Sequence, residues 1–208
     1  LDNPKIIHCF TWNKTIEHAK VSCLPIGLNF ERNYSSIQKI LTEYNLNENN
    51  IRNPHKLVSF SCDLNISNER KRLKEILNET LKGQCEKLKY IPPISTHVSP
   101  SYTDGTISVD VTNSEVYKQM LNYKFILSPE GVGLDCHRTW EAIILGCIPI
   151  VKKSSIDELF DNLPVVIVND WTELNEEFLN EKYNRIMLYK KHNMYDYQKL
   201  YLNYWIKK

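Results

Sequence analysis

A chain of 208 residues, 42% hydrophobic and 25% charged, has the material for one large or two small folded domains. A formal net charge of +1 and a pI near 7.7 exclude a strongly basic nucleic-acid footprint, so no nucleic-acid partner is expected. No apolar run reaches the length of a membrane span, and no basic-then-apolar leader opens the sequence.

The opening LDNPKIIHCF reads as the interior of something longer. Residues 1–30 hold two short apolar pieces, IIHCF and KVSCLPIGL, the second punctuated by Pro25 and Gly27. The helical spacing of Ile37, Ile40, Leu41 and Tyr44 predicts a helix over about 35–46, followed by an Asn-rich loop. LVSFSC (57–62) has the β-branched and aromatic content of a buried strand. Residues 65–83 form a predicted helix that Asn65 or Ser67 caps and Gly83 stops. A Pro- and Ser-rich loop over 89–113 carries His97 and Asp104, and irregular stretches of that length are often functional.

The second half is more regular. Helix 114–122 precedes strand 123–128, and helix 138–146 ends at Gly146, a natural C′ residue. In strand 147–152, Pro149 points to a sheet edge or a late start. Helix 155–162 and strand 164–168 follow. From Asp170 onward the chain reads as helical in pieces, with Asp170 as a cap and Trp171 as a core anchor. Strands alternating with helices across short joints predict a Rossmann-like α/β fold, a parallel sheet with helices on both faces and right-handed crossovers. The six cysteines, at 9, 23, 62, 85, 136 and 147, contain no CxxC pair, which argues against a zinc knuckle or redox dithiol. Cys62 and Cys147 read as small buried hydrophobes. This usage leans to a reducing compartment, and the even count leaves disulfides open.

One stretch carries chemistry: FILSPEGVGLDCHRTWEAIILGCIPIV, residues 125–151. In a parallel sheet, ligands sit beyond the carboxyl ends of the strands, and SPEGVGLDCHR (128–138) lies at that edge. Gly131 and Gly133 are expected to take φ values closed to side chains and to let the backbone approach a ligand. The next helix offers unpaired N–H groups, yet Arg138 occupies its first turn. A cation there costs roughly 0.3–1 kcal/mol against the helix dipole, which a bound diphosphate would offset. Glu141, one turn on, can accept hydrogen bonds from a vicinal diol such as a ribose. Glu130 and Asp135 sit in the turn, and His137 adjoins Arg138. Taken singly, each polar residue has a structural explanation: Asp135 as an N-cap, His137 as a hydrogen-bonded core histidine, Glu141 as a solvated helix residue. Together, on one ligand-facing joint, they point to a site.

The pattern SPEGxGxDxHRTWEAxxxGxIPIV, followed by LPVVIVNDW, resembles the C-terminal part of exostosin-like glycosyltransferases over about residues 114–180. The resemblance implies a GT-B arrangement, two Rossmann-like domains with the nucleotide sugar held mainly by the C-terminal one. Residues 1–56 would then be a partial or minimal acceptor-side segment and 57–208 the nucleotide-sugar-binding domain. It implies Arg138 on the donor phosphates and Glu141 on the ribose, with Ser128, Gly131, Gly133 and Lys152 completing the donor site. Asp135, His137 and Glu130 are the candidates for the general base, with His97 a remote one. The expected substrates are a nucleotide-diphosphate sugar and a hydroxyl on a glycan or glycoprotein. The strand, polar helix and G-x-x-P-V layout also resembles α1,3-fucosyltransferases, which use a GDP-sugar and read FENS where this chain reads SPEG. A non-catalytic nucleotide-sugar-binding module is a third reading, and a structural protein with a vestigial site a fourth. No Asp-x-Asp triplet is present, so no metal or other cofactor is expected, and leaving-group charge falls to Arg138, Lys152, Lys153 and helix N-termini. The chain as given favours the cytoplasm, with the Golgi lumen open if an anchor belongs to the full protein.

Overall fold

The computed structural model describes residues 1–47, 52–65, 67–89 and 111–207. His97 and Asp104 lie outside the described residues. At the N-terminus, β1 (Cys9–Thr11) and β2 (Val21–Cys23) form a parallel two-stranded ribbon. Then follow α1 (Phe30–Glu43), β3 (Lys56–Phe60), α2 (Asn68–Thr80) and β4 (Cys85–Lys87). The second half contains α3 (Val111–Met120), β5 (Tyr123–Leu127), α4 (His137–Ile144), β6 (Ile148–Lys152) and β7 (Val166–Val168), with α5 (Glu176–Lys191) and α6 (Leu202–Ile206) closing the chain.

Strands β3 to β7 form one wholly parallel sheet in the order β4-β3-β5-β6-β7. Counted along the chain this is 2-1-3-4-5, so the strand order reverses between β3 and β5. Alternation along the strands fills both faces. Phe125, Leu127, Ile148 and Ile150 pack with Leu73 and Leu77 of α2 and Leu179 and Ile186 of α5. On the other face, Ile126 packs with Ile37 and Ile40 of α1, Tyr117 and Met120 of α3, and Ala142 and Leu145 of α4. A third cluster joins Trp140 and Ile143 to Val151, Phe160 and Trp205, with Cys23 of the ribbon. The sheet is thus sandwiched by helices, as the alternating pattern predicts. Residues 1–56 share these cores, α1 in the second cluster and Cys23 in the third.

Several local expectations hold and others change. Ser67 caps α2 by accepting from the Arg70 N–H at 3.2 Å. Gly146 sits at φ +73° just past α4, in the left-handed region that a C′ glycine occupies at least cost. Asp170 caps a 3₁₀ turn at Trp171–Glu173 through a reciprocal box with Glu173, and Trp171 is buried in the core. By contrast, β6 lies inside the sheet. Its pairing to β7 begins at Ile150, one residue past Pro149, so the late start applies and the edge does not. The expected helix 155–162 is a single 3₁₀ turn, Asp157–Phe160. Asp161 leaves it with extended backbone and Asn162 is left-handed at φ +59°. All six cysteines are free, and Cys62 and Cys147 are buried. Among the described residues no helix is long and apolar enough to cross a membrane.

Candidate functional site

In an open parallel sheet the crevice forms where neighbouring connections leave in opposite directions, which here is between β3 and β5. A cavity of about 670 Å³ opens there. Ser61, Cys62 and Asp63, just past the carboxyl end of β3, form one wall. Gly131 to Gly133 and the first turns of α4 form another, and Trp12, Asn13 and Ile26 of the N-terminal segment a third. The class that the fold defines is therefore a Rossmann-like parallel α/β protein with a crevice at its topological switch point.

Arg138 lines this cavity from the first turn of α4. Its Nε donates to Ser61 Oγ at 2.6 Å, which ties the start of α4 to the carboxyl end of β3. No carboxylate among the described residues pairs with the guanidinium. The α4 N-cap, Cys136, makes no side-chain capping bond, so the helix end keeps its positive character. A second cation was hidden in the charged run of α2. Arg70, 7% exposed, is the third residue of that helix and also lines the cavity. Its guanidinium is held by carbonyls: Nε and Nη2 donate to Glu130 O at 3.1 and 2.7 Å, and Nη1 to Asp63 O at 3.2 Å. Two helix N-termini, each with an arginine in its first turn, thus meet at one crevice.

Glu141, buried, faces the same cavity and accepts from Asn33 Nδ2 of α1 at 2.6 Å. His137 Nδ1 lies 2.7 Å from Gly27 O. A carbonyl only accepts, so Nδ1 carries the proton, and in the neutral ring Nε2 keeps its lone pair. No partner among the described residues occupies Nε2. Asp135 also borders the cavity, but its oxygens are spent. They accept from Ile26 N–H at 2.8 Å and Trp140 Nε1–H at 2.9 and 3.0 Å. Burial pushes its pKa up, and those hydrogen bonds oppose the rise. Asp135 therefore ties α4 to the segment whose Gly27 holds His137.

The remaining sequence candidates fall elsewhere. Ser128 is buried with its hydroxyl on Thr139 Oγ1 at 2.8 Å, a core bond under α4. Lys152 is drawn to Glu69, 2.7 Å away, and Glu130 is hydrogen-bonded to Glu69 as well. That trio lies outside the residues lining the cavity. Lys152 holds the Glu69 carboxyl below its usual range, while the bond to Glu69, then burial, pushes Glu130 up. Of the two carboxyls, Glu130 is thus the one that gives up its proton at the higher pH. Its contribution to the site is its backbone carbonyl, which grips Arg70. Gly131 and Gly133 line the cavity, but neither has φ in the left-handed region, so the expected backbone constraint is absent. What they supply is close approach. A side chain at 131 would lie 3.5 Å from Arg70 Nη2, and one at 133 the same distance from Asn13 Oδ1.

Sequence reasoning missed Arg70, Ser61, Asp63, Asn33, Trp12 and Asn13. The rule that located residues 128–138 also covers Ser61 and Asp63, which follow a strand of the same sheet. Among the described residues, no group of three or more His, Cys, Asp or Glu side chains is arranged to hold a metal ion. No model of a known protein family matches the chain, and no curated protein matches it.

Proposed function

We propose that the chain is a glycosyltransferase that binds a nucleotide-diphosphate sugar in the switch-point cavity and transfers the sugar to a hydroxyl of a glycan or glycoprotein. The observation that carries the reading is Arg138, a guanidinium with no carboxylate partner among the described residues, set at a helix N-terminus inside the crevice. Its second hydrogen-bonding edge and the free N–H groups of α4 suit a diphosphate. Arg70 adds positive charge without itself being free to move. Positive charge fixed near a departing diphosphate supports its release without a metal. Glu141, one turn along, suits the donor's ribose diol. His137 lines the cavity and its Nε2 has no partner among the described residues, which makes it the best placed of the base candidates to take the proton of an attacking hydroxyl. The resemblance to exostosin-like enzymes points the same way.

Calorimetric titration of UDP, GDP and pyrophosphate tests the reading. Wild type should bind at least one nucleoside diphosphate, and Arg138→Ala should lose it while keeping its melting behaviour. Glu141→Ala should weaken the nucleotide and leave pyrophosphate alone. Equal binding by wild type and Arg138→Ala would reject the assignment. A thermal-shift screen over UDP-, GDP- and CMP-sugars then selects the donor, because a ligand bound only by the folded state raises its melting point. With that donor, His137→Gln should keep binding and slow sugar transfer by about 10²–10⁴-fold. Binding with no turnover by wild type would favour a non-catalytic module.

A further inference from the structure

Trp12 is 54% exposed and borders the same cavity as Arg138, His137 and Glu141. Its indole has no hydrogen-bonding or ring partner among the described residues. Its backbone, however, is fixed on both sides. Thr11 O accepts from Leu24 N–H at 2.9 Å within the β1–β2 ribbon. Asn13 Oδ1 accepts from Leu134 N–H at 2.9 Å, which docks the segment onto the glycine turn after β5. Lys14 is buried and pairs with Glu17 at 2.9 Å and Glu158 at 3.4 Å, and its carbonyl accepts from the Ser155 hydroxyl. A firmly mounted segment therefore presents a half-exposed aromatic ring along the crevice.

We infer that Trp12 is the stacking platform for the nucleobase of the bound nucleotide, so that the N-terminal ribbon completes the donor site. The inference rests on the nucleotide reading of the cavity. Within that reading the polar groups account for two parts of the ligand, Arg138 for the diphosphate and Glu141 for the diol. The part left over is a flat heteroaromatic ring. An indole suits it, because stacking recognises the π-face common to all bases and needs no matched hydrogen bonds. Trp12 thus supplies affinity for a base without choosing which one.

The experiment is calorimetric titration of wild type, Trp12→Ala and Trp12→Phe with UDP, GDP and pyrophosphate, after melting curves establish that each variant is folded. Trp12→Ala should weaken UDP and GDP by roughly 10- to 100-fold, the size of a base–aromatic stack, and leave pyrophosphate unchanged. Trp12→Phe should recover most of the affinity and abolish the quenching of tryptophan fluorescence by UDP. Unchanged nucleotide affinity in Trp12→Ala would overturn the platform while leaving the nucleotide site standing. Unchanged affinity with slower transfer would do the same and move Trp12 to the acceptor sugar. Equal weakening of UDP and pyrophosphate would also overturn it, as loss of a structural support. Wild type that binds none of the three ligands would reject the nucleotide reading itself.

Discussion

Replacing Asp135 by Asn tests the frame that holds the cavity. The carboxylate is 4% exposed and serves two donors, Ile26 N–H at 2.8 Å and Trp140 Nε1–H at 2.9 and 3.0 Å. Oδ2 accepts from both donors, so an amide oxygen in its place keeps both, but the NH2 then stands where Oδ1 accepted from Trp140 Nε1–H, donor against donor; the flipped amide instead leaves Ile26 N–H without an acceptor. Either arrangement costs roughly 1–3 kcal/mol. In a chain of this size each kcal/mol moves the melting temperature by about 2–4 °C, so the variant should melt roughly 2–12 °C lower. The pH dependence has a defined sign. Burial raises Asp135 above its ordinary value of 3.8, so the folded state holds that proton more firmly than the unfolded chain does. The stability linked to this proton is complete below the unfolded value and is lost as pH rises through the folded one. Asn does not titrate, and groups unaffected by the change cancel in the difference. Urea unfolding of both proteins at pH 4, 5.5 and 7 should therefore show a gap that narrows as pH rises. A gap that widens with pH would mean that the hydrogen bonds outrank burial. No gap at any pH would refute the structural role itself.

Two further changes probe charges outside the cavity. Glu130 is raised by its hydrogen bond with Glu69 and then by burial, so the stability it adds is present at low pH and lost as pH rises through its folded value. Glu130→Gln keeps an N–H toward Glu69 at all pH, and urea unfolding should show it level with wild type near pH 4 and more stable by under about 1 kcal/mol at pH 8. Burial lowers Lys190 from 10.5 to about 8, although its Nζ donates to Gly146 O at 3.3 Å. Wild-type stability should climb between those two pH values, because the unfolded chain binds the extra proton. Lys190→Met removes the buried charge and should be more stable at pH 7 by on the order of 1–3 kcal/mol, with the advantage closing near pH 10.5. A less stable Met variant at pH 7 would mean that the bond to Gly146 outweighs the burial.

The sequence makes some of these features legible and hides others for identifiable reasons. Strands β3, β5, β6 and β7 are read from apolar, β-branched runs because a sheet covered on both faces demands them. Strand β4, Cys85-Glu86-Lys87, is missed because it is three residues long, lies at the sheet edge and is largely polar. Arg138, His137 and Glu141 are found because the carboxyl end of a parallel strand is a position with chemical meaning. Lys152 satisfies the same rule and is misplaced, because its fate depends on Glu69, 83 residues away. Arg70 is invisible for a related reason. In NERKRLKE every charged residue looks solvated, and only the packing of α2 against residues 129–130 selects the one that is buried. What local patterns cannot encode is the order of the strands. That order sets β3 beside β5 and brings Ser61 within 2.6 Å of Arg138 across 77 residues of chain. The cavity belongs to that juxtaposition, so a residue at a strand end becomes a site residue only when the neighbouring strand turns away from it.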